Sequence, residues 1–94
     1  MTLSAPEYLS ELNAAKHTSP LNWHSEQPGR YEMNVGRLKV VVNHVAPEYR
    51  WSLVHTRSGP LHSGSSESLQ LAALEALAYA ENWVKKGHVE GLLA

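Results

Sequence analysis

Six histidines among 94 residues are the side chains in this sequence most suited to chemistry. A metal site needs three or four ligands that converge on one ion, and histidine ligands usually occur at short, recognisable spacings. The sequence has neither His-x-x-x-His nor His-Glu-x-x-His, and a hairpin around Pro47 sets His44 opposite Trp51 rather than beside His55. We therefore predict no metal site. The histidines are interpreted as surface or strand-end residues: His17, His24, His44, His55, His62 and His88.

Nucleophilic catalysis has no candidate residue in the sequence. There is no cysteine, no aspartate to orient a histidine, and no Gly-x-Ser-x-Gly motif. The hydroxyl-rich segment 63–66 is explained as a cap for the helix that follows it. Gly59 and Gly64 near that helix could receive an anion, but the lysine of a phosphate loop is missing. The sequence therefore predicts a protein that is not an enzyme and uses no cofactor, unless two of the sheet histidines share one pocket.

Length and charge favour a single small domain over residues 1–94. The chain is 43% hydrophobic and 18% charged, which is typical of a globular protein, and its formal net charge is −1. Such a balance gives no bulk attraction to nucleic acid. No segment resembles a signal peptide or reaches the roughly 18 apolar residues of a spanning helix. We expect no membrane segment and a cytoplasmic location, in the host cytoplasm if a phage encodes the chain.

Two helices are expected, one near each end of the chain. Ser4 and Glu7 form a capping-box pattern with Pro6 in the first turn, which predicts a helix over about 5–16. Residues 17–29 are expected to form a loop. Serine caps at 65 and 66 and a terminal Gly87 predict a second helix over about 66–86, followed by a tail over 87–94. Its core stripe has helical spacing: Leu69, Ala72, Ala73, Ala76, Leu77, Ala80, Trp83 and Val84.

Between the helices the apolar period changes to two, as in half-buried strands. The alternation predicts strands over about 30–35, 37–45 and 50–56, separated by turns at Gly36 and Pro47. Residues 60–63 are a candidate for a short edge strand. The predicted fold class is therefore α+β: a three- to four-stranded antiparallel sheet packed on one long C-terminal helix, with a short N-terminal helix.

The same alternation separates apolar from cationic side chains. Residues 30–57 hold five of the eight basic residues and two acids, Glu32 and Glu48. If the apolar set faces the helix, the basic set faces outward with Glu32. Two interpretations remain open, a solvated face or a basic, partly apolar contact surface. On the second interpretation the partner-binding residues are four cations, with Trp23 as an anchor if its ring is not buried. These cations are Arg30, Arg37, Lys39 and Arg50.

A second apolar strip lies beside the core stripe of the C-terminal helix. Leu71 and Leu74 belong to it, and the tail adds Leu92 and Leu93. A sheet with one helix can bury only about half of that helix, so either the N-terminal segments or another chain must cover the strip. Local packing and a homodimer interface formed by these four leucines are the two alternatives.

The order helix, three strands, helix resembles a double-stranded-RNA-binding domain over nearly the whole chain. Segment 59–62 has the letters of that family's Gly-Pro-x-His turn but follows the third strand, and segment 65–68 lacks the lysine cluster at the helix start. The resemblance implies the topology. It also implies the alternative function, a nucleic-acid-binding module that uses the basic sheet face.

A second resemblance rests on three segments: 49–55 (YRWSLVH), 61–64 (LHSG) and 68–76 (SLQLAALEA). They are similar to the hairpin and alanine-rich helix of many small phage and mobile-element proteins, among them the anti-CRISPR proteins. This resemblance implies a short, non-enzymatic inhibitor that occludes a surface of a CRISPR effector or another host nucleoprotein complex. The predicted function is therefore a small protein-binding protein.

Overall fold

The computed structural model describes residues 4–88, so the predicted interface residues Leu92 and Leu93 lie outside the described part of the chain. Two helices and four strands follow one another in the order α-β-β-β-β-α. Their bounds are α1 Ala5–Lys16, β1 Arg30–Val35, β2 Leu38–Val45, β3 Glu48–His55, β4 Gly59–Ser66 and α2 Leu69–Trp83. A short 3-10 turn, Pro20–Asn22, precedes β1, and a π-helical turn, Val84–His88, follows α2.

Helix α1 begins at the capping box that its sequence indicates. The Glu7 amide donates to the Ser4 hydroxyl, and the Glu7 carboxylate accepts in return from the Ser4 amide. These bonds satisfy backbone donors that the first helical turn leaves free. Tyr8 and Leu12 are fully buried on one side of α1, so this helix closes one flank of the core.

The four strands form an antiparallel meander in the order β1-β2-β3-β4. The strand that exceeds its predicted span most is β4, which runs from Gly59 to Ser66 instead of over 60–63. Six of its eight residues are Ser, Gly or Pro, which gives a weak strand signal, yet it pairs with β3 from Gly59 to Ser66. Register also places His44 opposite Tyr49, rather than opposite Trp51 as expected, because β3 begins two residues earlier than the alternation suggested.

The inner face of the sheet packs against α2 and forms the core. Val40 lies opposite Leu53, and Val42 lies opposite Trp51, so large apolar side chains fill the middle of this face. The contacting side of α2 consists of small residues and one leucine: Ala72, Ala73, Ala76, Leu77 and Ala80. Alanines let the helix backbone approach the strands closely. The predicted α+β fold, with its antiparallel sheet on a C-terminal helix and a short N-terminal helix, is confirmed.

The ends of α2 differ from their predicted positions. Ser68, not Ser65 or Ser66, is the N-cap, and its hydroxyl accepts from the Leu71 amide at 3.2 Å. The two earlier serines are the last two residues of β4, so the helix begins later than predicted. At the other end the chain passes into the π-helical turn after Trp83 instead of stopping at a glycine cap. Within residues 4–88, neither helix combines the length and apolarity that a membrane crossing requires.

The long connection between α1 and β1 contacts the rest of the domain at two points. Trp23 is buried in the core cluster, and His24 forms an isolated antiparallel bridge with Glu32 of β1. Trp23 was expected to anchor a partner only if its ring were not buried. Its ring is buried in the core, so it is not available to a partner.

Candidate binding surface

The outer face of the sheet is the side that points away from α2, and polar side chains dominate it. Strand register orders them in two adjacent rows. One row contains Arg30, Asn43, Arg50 and Ser65, and the next contains Glu32, Val41, Ser52 and Ser63. Lys39 extends the surface on β2. We call these nine residues the outer face. Three of the four predicted partner-binding cations, Arg30, Lys39 and Arg50, therefore share one surface.

A charge network occupies the β1–β2 side of the outer face. The Glu32 carboxylate accepts from Arg30 Nη2 at 3.2 Å and from Lys39 Nζ at 2.9 Å. Only 9% of Glu32 is exposed. The Lys39 hydrogen bond, helped by Arg30, holds the pKa of Glu32 below its ordinary value of 4.5, although burial acts in the opposite direction. Glu32 therefore stays ionised and neutralises much of the charge of both cations.

Arg50 is the most available of the three cations. Its side chain is 64% exposed, and its closest acid, Glu48, lies 3.9 Å from Nε, at the outer limit for an ion pair. Beside it lies an open depression of about 410 Å³. The lining residues are Glu48, Arg50, Trp51, Ser52, Ser63, Gly64 and Ser65. This depression offers one guanidinium, one carboxylate and three hydroxyls to a partner.

Arg37 lies apart from the other cations. It occupies the two-residue β1–β2 turn instead of a strand, because Val35 pairs directly with Leu38. Its amide donates to the Tyr8 hydroxyl at 3.1 Å, and its carbonyl accepts from the Thr56 amide at 3.0 Å. Its charge acts on His55, which belongs to the inner face. The predicted second strand began at residue 37, but β2 begins at Leu38, so strand parity assigns Arg37 to neither face.

The histidines of the sheet sit against different aromatic partners. His44 stacks on Tyr49 with ring centroids 4.4 Å apart, and His62 stacks on Tyr79 at 4.2 Å. The ring of His55 lies 6.3 Å from that of Trp83 on the inner face. Across residues 4–88 no group of three His, Cys, Asp or Glu side chains is arranged to hold a metal ion.

His55 has a structural role at the end of β3. It is 2% exposed, and its Nδ1 accepts from the amides of Arg57 and Ser58 at 3.2 and 3.0 Å. Burial lowers the pKa of His55, and the charges of Arg37 and Arg57 lower it further. The imidazole is therefore neutral, and it holds the β3–β4 turn through two backbone hydrogen bonds.

The predicted oligomer interface is only partly within the described residues. Leu71 is 49% exposed on α2, and Leu74 is half-buried. Neither belongs to the buried side of α2, as expected of a strip beside the core stripe. Whether a second chain covers them stays a prediction.

Sequence reasoning missed the serines of the outer face. Ser63 and Ser65 alternate with His62 and Gly64, so the period of two does continue into β4. The signal was weak because neither alternating set is strongly apolar. Ser52 was assigned to a strand but not to a site, since a lone serine in a strand carries no charge or motif.

Replacing Glu32 with glutamine should lower the free energy of unfolding by about 1–2 kcal/mol at pH 7, because Arg30 and Lys39 lose their shared carboxylate. A carboxyl whose folded pKa is depressed stabilises above its unfolded pKa, and this stabilisation is lost as pH falls through the folded value. The difference in unfolding free energy between wild type and Glu32→Gln should thus be largest above about pH 5 and should shrink below that pH. Urea unfolding at several pH values measures it. A difference that is independent of pH would contradict the ionic explanation.

No protein-family model, curated protein or solved structure matches the chain.

Proposed function

We propose that this chain is a small, non-enzymatic binding protein that docks on a protein partner through its outer face. The observation that carries the proposal is the one-sided packing of the sheet: α2 covers the inner face, while the outer face presents Arg50 beside an open polar depression. Arginine is among the residues that contribute most to protein interfaces, since it combines charge, planar hydrogen bonding and a long apolar stem. Arg50 is the central residue of the proposed interface.

The charge pattern supports a protein partner over a nucleic acid. Phosphate binding relies on several cations that exchange condensed counterions, and its strength grows with the number of phosphates neutralised. On the outer face Arg30 and Lys39 are already engaged by Glu32, and Glu48 lies near Arg50. A surface of alternating charges and hydroxyls suits a mixed protein surface better than a uniform phosphate backbone. A nucleic-acid-binding module remains the alternative.

The more specific form of the proposal is a phage-type inhibitor of the anti-CRISPR kind, which occludes a surface of a host nucleoprotein complex. It is supported by the hairpin and alanine-rich helix of the sequence and by the open face. A stable interface needs about 800 Å² from each partner, which an open sheet face with its adjoining loops can supply. Such a partner would place the protein in the cytoplasm, that of the host if a phage encodes it.

The test of the interface is a charge reversal with a matched control. Arg50→Glu should weaken capture of the partner from a lysate of the native host at least about tenfold, because it replaces an interface anchor with a like charge beside Glu48. Arg57→Glu, in the exposed β3–β4 turn and off the outer face, should leave capture unchanged. Mass spectrometry identifies the captured proteins. Equal capture by wild type and Arg50→Glu would overturn the proposed interface.

Salt dependence separates the two classes of partner. Binding to phosphates should weaken log-linearly and steeply between about 50 and 200 mM salt, whereas a mixed protein interface should respond weakly. For the specific form, expressing the chain in cells with an active CRISPR system should restore plasmid transformation, and Arg50→Glu should not. If the CRISPR system still destroyed the plasmid in cells that fully express the wild-type chain, the anti-CRISPR hypothesis would be wrong. The capture experiment would then still test the binding surface.

A further inference from the structure

The imidazole of His55 closes the β3–β4 turn through hydrogen bonds that only its neutral form can make. Its Nδ1 accepts from the amides of Arg57 and Ser58, so the ring proton lies on Nε2. Nε2 is itself buried, and no group within residues 4–88 accepts its proton. In the imidazolium, Nδ1 would carry a proton directed at two N–H donors, and neither ring nitrogen would have an acceptor. The charged ring is therefore incompatible with the closed turn.

The surroundings of His55 oppose a positive charge as well. Within residues 4–88, the charged groups that act on the ring are Arg37 in the β1–β2 turn and Arg57 in the β3–β4 turn, and both are positive. The neighbours on the other elements are uncharged. Leu38 of β2 pairs with His55, and the Trp83 indole of α2 lies with its ring centroid 6.3 Å away. Burial and the two guanidinium groups lower the pKa of His55 in the folded protein.

A bulge separates the start of β4 from the rest of the strand. In two consecutive pairs with β3 the register passes from His62 to Pro60, and Leu61 is skipped. A bulge interrupts the hydrogen-bonded ladder, and proline has no N–H to donate to it. We call residues 56–61 the turn segment. Because its ladder with β3 is interrupted in this way, the two hydrogen bonds to Nδ1 contribute much of what holds the turn segment closed.

We propose that His55 makes the turn segment an acid-sensitive switch: protonation of the imidazole releases this segment from the sheet as far as the bulge at Leu61, while the rest of β4 stays paired with β3. In the open form the imidazolium reaches water, where both of its N–H groups find acceptors and the charges of the two arginines are screened. The serines of β4 that line the depression beside Arg50 lie beyond the bulge. The inference therefore does not depend on the proposed function.

Amide hydrogen exchange followed by NMR between about pH 7.5 and 5 measures the opening, and Glu32 stays ionised throughout this range. Since the open form takes up a proton that the closed form excludes, the ratio of open to closed molecules should rise about tenfold for each pH unit below the ordinary histidine pKa of 6.5. The protection factors of the Arg57 and Ser58 amides should fall by the same factor. Those of Ser63 and Ser65, beyond the bulge, should change much less.

His55→Asn is the decisive variant, because its side-chain oxygen can accept in place of Nδ1 and does not titrate. In this variant the protection of the Arg57 and Ser58 amides should be nearly independent of pH. His62→Asn, the matched control at an exposed histidine of β4, should keep the pH dependence of the wild type. Protection that is independent of pH in the wild type would overturn the proposal, as would a pH dependence that His55→Asn leaves intact.

Two further results decide between local and global opening and do not require the variant to fold. An equal loss of protection at Ser63 and Ser65 would mean that the whole sheet opens, and the turn segment would not be a switch. The ¹⁵N shifts of the His55 ring should show the Nε2–H form at pH 7 and protonation in step with the loss of protection. A ring that became protonated while the Arg57 and Ser58 amides stayed protected would also contradict the proposal.

Discussion

Replacing Trp51 with alanine should lower the free energy of unfolding by about 3–5 kcal/mol, a large part of the stability of a domain of this size. The indole is buried between the sheet and α2, and it packs directly on Gly64 of β4. Its Nε1 donates to Glu75 Oε2 at 3.2 Å, and the Ser66 hydroxyl donates to the same oxygen. One side chain thus connects β3, β4 and α2. Denaturant unfolding followed by circular dichroism measures the loss.

Trp51→Phe separates the contribution of ring packing to stability from the contribution of the indole hydrogen bond. Phenylalanine keeps most of the apolar contact but removes the donor to Glu75, so the expected loss is about 1–2 kcal/mol. Glu75→Gln is the matched change on the acceptor side. Since Glu75 is exposed and its freed oxygen can bind water, this variant should lose at most about 1 kcal/mol. If Trp51→Ala proved no worse than Trp51→Phe, the packing explanation would be wrong.

Elements with strong local signals could be predicted from the sequence. Helix α1 matches its predicted span because the Ser4–Glu7 capping box marks its start. β1 also matches its span because apolar and polar residues alternate strictly along it. The full length of β4 could not be predicted, because six of its eight residues are Ser, Gly or Pro and neither alternating set is strongly apolar. The predicted start of α2 was too early for a related reason: three serines, at 65, 66 and 68, could cap it, and the first two belong to β4.

The candidate surface, too, could be predicted only where local signals determine it. Alternation correctly placed Arg30, Lys39 and Arg50 on one face, since strand parity is a local property. It assigns no face to Arg37, because this residue lies in a two-residue turn and not in a strand. It also could not show that Glu32 holds both Arg30 and Lys39, because Lys39 is on the neighbouring strand and their contact depends on register. The sequence gives the sign of the charges on a face, whereas register decides which of them are already paired.

Substitution of Gly36 by alanine should cost about 2–4 kcal/mol of unfolding free energy, from two separate causes. Gly36 has a φ of +56°, as the first position of a two-residue hairpin turn often requires, and an L-residue is strained there. In addition, a Cβ at this position would lie 2.6 Å from the Tyr8 hydroxyl and 2.8 Å from its ring. Tyr8 cannot move aside cheaply, because it is fully buried and its hydroxyl accepts from the Arg37 amide.

Gly59 offers a matched control for this prediction. Its φ is +83°, so it has the same backbone requirement, but a Cβ built there meets no atom within 4 Å. Gly59→Ala should therefore carry only the conformational term, about 1–2 kcal/mol. Chemical denaturation of the two variants side by side measures the contribution of the Tyr8 contact as the difference between them. Equal losses of unfolding free energy in the two variants would mean that Tyr8 can move away from the added methyl group at little cost. The contact between Tyr8 and the β1–β2 turn would then not contribute to stability.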